Sequence, residues 1–128
     1  MVSKISEGVT ISVETFYQPD QSSPATSEYM FAYRVTIENN NSFPIKLLRR
    51  HWHIFDSDGT NREVEGEGVI GNQPLLNSGE NYQYISGCNL QTEIGKMHGT
   101  YSMENINTKK LFSVNIPAFE MIVPFKLN

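Results

Sequence analysis

The sequence predicts an all-β fold, an antiparallel β-sandwich, from three observations. Apolar and polar residues alternate in several short runs, as they do in strands with one buried face. Turn-forming residues separate these runs at short intervals. No segment keeps the apolar period of an amphipathic helix. Because 128 residues is a common length for one domain, we expect a single domain over residues 1–128 that buries its own core.

The first half of the chain holds the clearest strand patterns. Val9, Ile11 and Val13 alternate with polar residues, which predicts a half-buried strand that runs on to Tyr17. The polar stretch over 18–27 contains two prolines and predicts a surface loop. Residues 29–38 alternate most strongly. Their predicted inner face consists of Tyr29, Phe31, Tyr33, Val35 and Ile37.

The second half gives shorter patterns. Residues 87–95 are polar and predict a loop, and Pro117 is expected to interrupt the run that begins at Leu111. Because Pro124 cannot donate to a ladder, the last strand is expected to end at a sheet edge. The predicted strands lie at 82–86, 96–103, 111–116 and 119–125.

The stretch 45–74 contains the only tryptophan and two of the three histidines. Alternation places Trp52 on the inner face of a strand, because its large apolar surface needs packing partners. Asp58-Gly59 predicts a two-residue hairpin turn, with a return strand over 62–65. The inner face is then predicted to hold Leu48, Arg50, Trp52 and Ile54, and the outer face Leu47, Arg49, His51, His53 and Phe55.

Gly66, Gly68 and Gly71 match the spacing G-x-G-x-x-G of dinucleotide-binding loops. That motif binds a pyrophosphate only where a helix opens directly after it. Pro74 prevents a long helix here, and neighbouring glutamates would repel a phosphate. We therefore predict a backbone-constrained segment, in which the glycines permit a bend, a bulge or close backbone contact. Arginines that fold over the loop, Arg49, Arg50 or Arg62, keep an anion site open as an alternative.

His51 and His53 project from one face of the same predicted strand, a spacing that can place two imidazoles on one metal ion. A third ligand requires the fold to bring up His98, Cys88, Asp56 or Asp58. Because two ligands make an incomplete site, we expect a solvated sheet face with no metal and no cofactor.

Composition excludes several classes of function. A formal net charge of −4 argues against nucleic-acid binding, which requires a basic surface. The chain shows neither a signal peptide nor a segment long enough to span a membrane, and it therefore cannot itself transport ions through lipid. The single cysteine, Cys88, precludes an internal disulfide and is consistent with a reducing, cytoplasmic location. No nucleophile, base and orienting group can be assembled, so we expect no enzyme activity.

Several separate motifs, in order along nearly the whole chain, resemble the ApaG family. They are QSSP at 21–24, FAYRVTI at 31–37, LLRRHW at 47–52, VEGEGVIGNQPL at 64–75, YISG at 84–87, GKMHGTY at 95–101 and FSVNIPAF at 112–119. The resemblance implies a fibronectin-III or immunoglobulin-like sandwich and supplies no catalytic residues. The family label associates these bacterial proteins with cobalt and magnesium efflux. Similar domains in some eukaryotic F-box and polymerase-delta-interacting proteins imply protein binding.

Together these observations favour a non-enzymatic binding module with a protein partner. Sandwiches offer loops and sheet edges to partners, and the glycine segment lies beside apolar Leu75 and Leu76. The alternative is a small-ligand sensor that binds an anion, a nucleotide or a divalent metal near the glycine loop. The candidate ligand- or partner-binding residues are Arg50, His51, Gly66, Gly68, Gly71 and Gln73.

Overall fold

The computed structural model describes residues 1–126 of the chain, so the last two residues of the predicted domain lie outside the described part. Within that range it contains nine strands and three single-turn 3-10 helices. None of the helices in this range is long and apolar enough to cross a membrane. The strands are β1 (Val2–Ser6), β2 (Val9–Tyr17), β3 (Tyr29–Asn39), β4 (Ile45–Asp56), β5 (Asn61–Glu67), β6 (Leu75–Leu76), β7 (Asn81–Leu90), β8 (Ile94–Asn105) and β9 (Leu111–Ile122).

The strands form two antiparallel sheets, which confirms the predicted β-sandwich. One sheet has the order β1-β2-β3-β7 and the other β5-β4-β8-β9, with short β6 paired to the start of β4. Alternate side chains of both sheets point inward and form one apolar core. The predicted inner face of β3 is confirmed, since all five of its aromatic and β-branched residues are buried.

Trp52 lies in that core, as predicted, with 2% of its surface exposed. Three aromatic rings surround it in edge-on orientations, with ring centroids 5.5 Å away for Tyr33, 6.3 Å for Tyr101 and 5.9 Å for Phe119. Such pairs add to the energy gained by burying the ring. Because Tyr33 belongs to one sheet and the other two to the second, Trp52 joins the sheets.

The predicted faces of β4 are wrong before Arg49 and right after it. Leu47 is 2% exposed and belongs to the core, whereas Leu48 is only partly buried. The pairing of β4 with β8 shifts between Leu47 and Arg49, where β4 carries one extra residue. A β-bulge of this kind reverses the alternation, so Leu47 and Trp52 face the same core despite their odd spacing.

Three further expectations about strands need correction. Residues 87–90 belong to β7, and Cys88 and Leu90 are buried, so the predicted loop shrinks to 91–93. Pro117 does not end a strand, because β9 continues through a register shift that places one extra residue beside it. The sequence pattern did not predict β1, because its side chains are mostly exposed and show no buried face.

The β4–β5 hairpin has a three-residue loop instead of the predicted two-residue turn. The Asp56 amide donates to the Thr60 carbonyl over 2.9 Å, and the Gly59 amide donates to the Asp56 carbonyl over 3.0 Å. Gly59 has φ +93°, as the third residue of such a loop requires. The resulting register pairs His53 with Glu63 and His51 with Glu65.

Candidate functional site

The glycine segment forms a tight turn that a side chain would disrupt. The Val69 amide donates to the Asn72 carbonyl over 2.8 Å, and the Asn72 amide donates back over 2.9 Å. Gly68 has φ +59°, and a Cβ atom built on it would lie 2.0 Å from the Asn72 carbonyl oxygen. This close backbone approach supports the predicted structural role of the glycines.

Arg50 and Gln73 hold this segment against the sheet. The Arg50 guanidinium lies against Gly66, and its Nη1 donates to the Glu67 carbonyl over 3.0 Å and to the Gly68 carbonyl over 2.9 Å. Gln73 Nε2 donates to the Leu48 carbonyl over 3.0 Å. Arg50 Nη1 and Gln73 Nε2 are thus engaged with the protein backbone.

No helix opens after Gly71, as predicted, because the chain enters β6 at Leu75. A pyrophosphate would therefore meet no row of helix amides. The tip of the turn instead presents Ile70, which is 57% exposed and has φ +48°. A β-branched residue with positive φ is a strained conformation, and such strain concentrates at functional sites.

A cleft of about 210 Å³ opens beside this segment, between β5 and β7. Arg62 spans it, and its Nη2 donates to the Asn89 carbonyl and lies 3.6 Å from Cys88 Sγ. Burial raises the pKa of the Cys88 thiol more than the nearby guanidinium lowers it. Cys88 therefore stays protonated near neutral pH, which disfavours a role as nucleophile.

The outer face of the same hairpin carries a row of imidazoles. The rings of His51 and His53 have centroids 4.5 Å apart, and His98 on β8 stacks on His53 at 4.8 Å with an angle of 17° between planes. Phe55 stacks on the other end of the row, 5.5 Å from His98. These ring contacts hold the row in place along the sheet. Burial, and then the charges of His53 and Lys96, lower the pKa of His98.

Two glutamates of β5 reach the row from the neighbouring strand. Glu63 Oε1 lies 2.7 Å from His51 Nε2 and 3.6 Å from His53 Nδ1, and Glu65 Oε1 lies 3.2 Å from His51 Nε2. One ligand atom each from His51, His53 and Glu63 lies within 4.8 Å of the others. Within residues 1–126, this is the group of three or more such side chains whose spacing suits a metal ion.

The predicted site residues lie at two separate locations in the structure. Arg50, Gln73 and the glycines meet at the loop, whereas His51 and His53 lie on the outer face of β4. Of the four predicted third ligands, none belongs to the ligand group. Sequence analysis missed Glu63, which takes that position, because the hairpin register decides its face.

Both the glycine loop and the outer face of β4 lie within the part of the chain that matches a known protein family. The family model described as the ApaG domain matches residues 19–105, which include the β4–β5 hairpin, the glycine segment and His98. A protein named ApaG from Brucella anthropi is 44% identical over 124 residues, covering 97% of this chain and 95% of the relative. The chain belongs to the ApaG family. An ApaG protein from Proteus mirabilis is also 44% identical, over 96% of this chain and 98% of its own.

Solved structures share this fold. An ApaA protein from Bordetella pertussis superimposes with a TM-score of 0.87 at 45% identity, over 91% of this chain and 94% of that one. The C-terminal domain of wzt superimposes with a TM-score of 0.57 at 7% identity, over 95% of this chain and 77% of that one. The second likeness shows a shared fold alone, because the identity is so low.

Proposed function

We propose that this ApaG-family chain is a non-enzymatic protein-binding module, which adds an extended, basic segment of a partner to the free edge of β5. The observation that carries the proposal is the exposed, acidic character of that edge. β5 is the last strand of its sheet, and most of its residues are exposed. An unpaired edge strand is a template for another strand, and adding one is a common mode of peptide recognition.

The register of the hairpin identifies the backbone groups at the free edge. Thr60 and Gly68 bond to β4 at the two ends of β5. Because inward and outward bonding alternate along an antiparallel strand, the even-numbered residues between them also face β4. The groups at the free edge are therefore the N–H and C=O of Asn61, Glu63 and Glu65 and the N–H of Glu67, whose carbonyl already accepts from Arg50 Nη1.

The side chains at this edge favour a partner with positive charge. Glu63 and Glu65 have side chains 61% and 58% exposed, and Glu67 continues the same face. A second copy of β5 would set glutamate beside glutamate, which is unfavourable. A strand with Lys or Arg at alternate positions would instead meet three carboxylates. Between them Val64 is 40% exposed on the opposite face, beside the β5–β7 cleft, and suits an apolar partner residue.

Other features support a binding role in the cytoplasm. The polar groups beside the glycine loop hold the protein together, and the Cys88 thiol is protonated, so neither supplies a reactive centre. We propose a cytoplasmic location, which the single free cysteine supports. We also propose that residues 1–128 act as one domain, because the inner faces of both sheets contribute to one core.

The direct test is titration with short peptides of alternating sequence, followed by fluorescence anisotropy at low and high salt. We expect a peptide that alternates Lys with Val to bind, and one that alternates Glu with Val not to bind. Binding of the first should weaken with salt, because exposed charge pairs are screened. Replacement of alternate peptide residues by proline should abolish binding, since proline cannot donate to a ladder.

Variants of β5 separate strand addition from simple charge attraction. Glu65→Pro removes one outward N–H while leaving the bonds to β4, so it should abolish peptide binding and keep the fold. Glu65→Gln should weaken binding by up to about fivefold, the effect of one cross-strand charge pair. Glu120 is exposed on β9, at the far side of the same sheet, so Glu120→Gln is the matched control. Unchanged binding by Glu65→Pro would refute strand addition at this edge.

A further inference from the structure

The outer face of the β4–β5 hairpin carries a second feature, which combines Glu63 of the acidic edge with two histidines of β4. We infer that His51, His53 and Glu63 form a binding site for a transition-metal cation of the Zn²⁺ type, with Glu65 or water completing the coordination. Two imidazole nitrogens and a carboxylate oxygen are a common ligand set for zinc in proteins.

The ligand atoms lie near the distances that such an ion requires. Tetrahedral ligands about 2.0–2.1 Å from zinc lie about 3.3–3.4 Å from one another. Glu63 Oε1 lies 3.6 Å from His53 Nδ1 and 2.7 Å from His51 Nε2, and the Glu63 side chain is 61% exposed. The ligand atoms of all three side chains lie within 4.8 Å of one another, so side-chain rotations of the histidines and of Glu63 must close the remaining gap.

A single hydrogen bond explains only part of the arrangement. It joins His51 Nε2 and Glu63 Oε1, the shortest of these contacts. The ring of His53 also approaches the same carboxylate oxygen, and its centroid lies 4.5 Å from that of His51. A single dication could bind both imidazoles and the carboxylate together.

The hairpin fixes the backbone positions of the three ligands relative to one another. His51 and His53 are alternate residues of β4, and Glu63 is the cross-strand partner of His53. His98 stacks on His53 and limits rotation of its ring. The histidine side chains are 33% and 34% exposed, so an ion can reach them from solvent. Such preorganisation strengthens binding because less conformational entropy is lost.

The ligand chemistry also predicts which ions bind. Imidazole nitrogen suits Zn²⁺, Ni²⁺ and Cu²⁺, whereas Mg²⁺ and Ca²⁺ prefer oxygen ligands. Two of the three side chains in the group offer imidazole nitrogen instead of oxygen. We therefore expect Zn²⁺ to bind and Mg²⁺ to leave the site empty.

Calorimetric titration of tag-free, full-length protein with Zn²⁺ and Mg²⁺ tests the inference. We expect saturable one-to-one binding of Zn²⁺ in the micromolar range and no saturable heat with Mg²⁺. Imidazole ¹⁵N spectra should show the largest Zn²⁺-induced shifts at His51 Nε2 and His53 Nδ1. Absence of saturable Zn²⁺ binding, or equal shifts in all three histidines, would overturn the site.

Substitutions separate ligands from neighbours. Glu63→Gln and His53→Leu should each weaken Zn²⁺ binding by at least about tenfold, since even the loss of an outer-shell partner commonly costs that much. His98→Gln is the matched control, because His98 stacks on the row without belonging to the ligand group, and it should weaken binding by much less. Unchanged melting curves confirm that the variants fold. Equal losses for Glu63→Gln and His98→Gln would refute the assignment.

Discussion

Replacement of Gly68 by alanine measures how strongly the glycine turn constrains the backbone. At φ +59° the added Cβ costs about 1–2 kcal/mol in conformational energy alone. It would also lie 2.0 Å from the Asn72 carbonyl oxygen, so the turn must open. The two Val69–Asn72 hydrogen bonds are then weakened, and each contributes about 1 kcal/mol. We expect Gly68→Ala to lower the free energy of unfolding by about 2–4 kcal/mol.

Gly71 provides the matched control within the same turn. It has φ +74°, but a Cβ built there has no atom within 4 Å. Gly71→Ala should therefore cost only the conformational part, about 1–2 kcal/mol. Urea unfolding measures the free energy of unfolding of both variants. Equal slopes of that free energy against urea concentration would show that the unfolded states are comparable. A difference between the variants below about 0.5 kcal/mol would refute the close-approach argument.

The same variant distinguishes a structural turn from a phosphate cradle. In a cradle, Gly68→Ala should weaken nucleotide binding more than it weakens folding. We expect calorimetric titration of the unaltered protein with ATP, with and without Mg²⁺, to show no saturable binding, because Arg50 Nη1 and the amides of Gly68, Val69 and Asn72 already have backbone partners. Saturable micromolar binding that Gly68→Ala abolishes, in a protein that still folds, would support the cradle instead.

Two further predictions concern the core. Trp52→Ala should lower the free energy of unfolding by about 3–5 kcal/mol, and an unchanged melting curve would contradict its place between the sheets. The Tyr84 and Tyr101 hydroxyls bond to each other in the core, so either single Phe variant should cost about 1–3 kcal/mol and the double variant less than the sum. Burial raises the pKa of both tyrosines, so the native state keeps protons that the unfolded state releases above pH about 10. Stability should therefore be fully present below that pH and fall above it, less steeply in the double Phe variant, as urea unfolding at several pH values would show.

Alternation predicts a strand only where one face is buried throughout. β3 is such a strand, and its inner residues from Tyr29 to Ile37 are all buried. β1 lies at a sheet edge with both faces largely exposed, so no pattern selects its residues. In β4 the alternation breaks at Leu48, where an extra residue reverses the faces. Nothing in the run from Leu47 to Arg50 marks that bulge, because its position is decided by pairing with distant β8.

The acidic edge and the ligand group depend on the length of one loop. A two-residue turn at Asp58-Gly59 would pair Ile54 with Glu63 and place this glutamate on the core face. The observed three-residue loop moves the pairing by one residue, so Glu63 lies opposite His53 on the outer face. Both turns accept Gly59 at positive φ, so the dipeptide does not choose between them. Packing makes the choice, since Trp52 and Ile54 must face the core and a buried, unpaired glutamate opposite them would be costly.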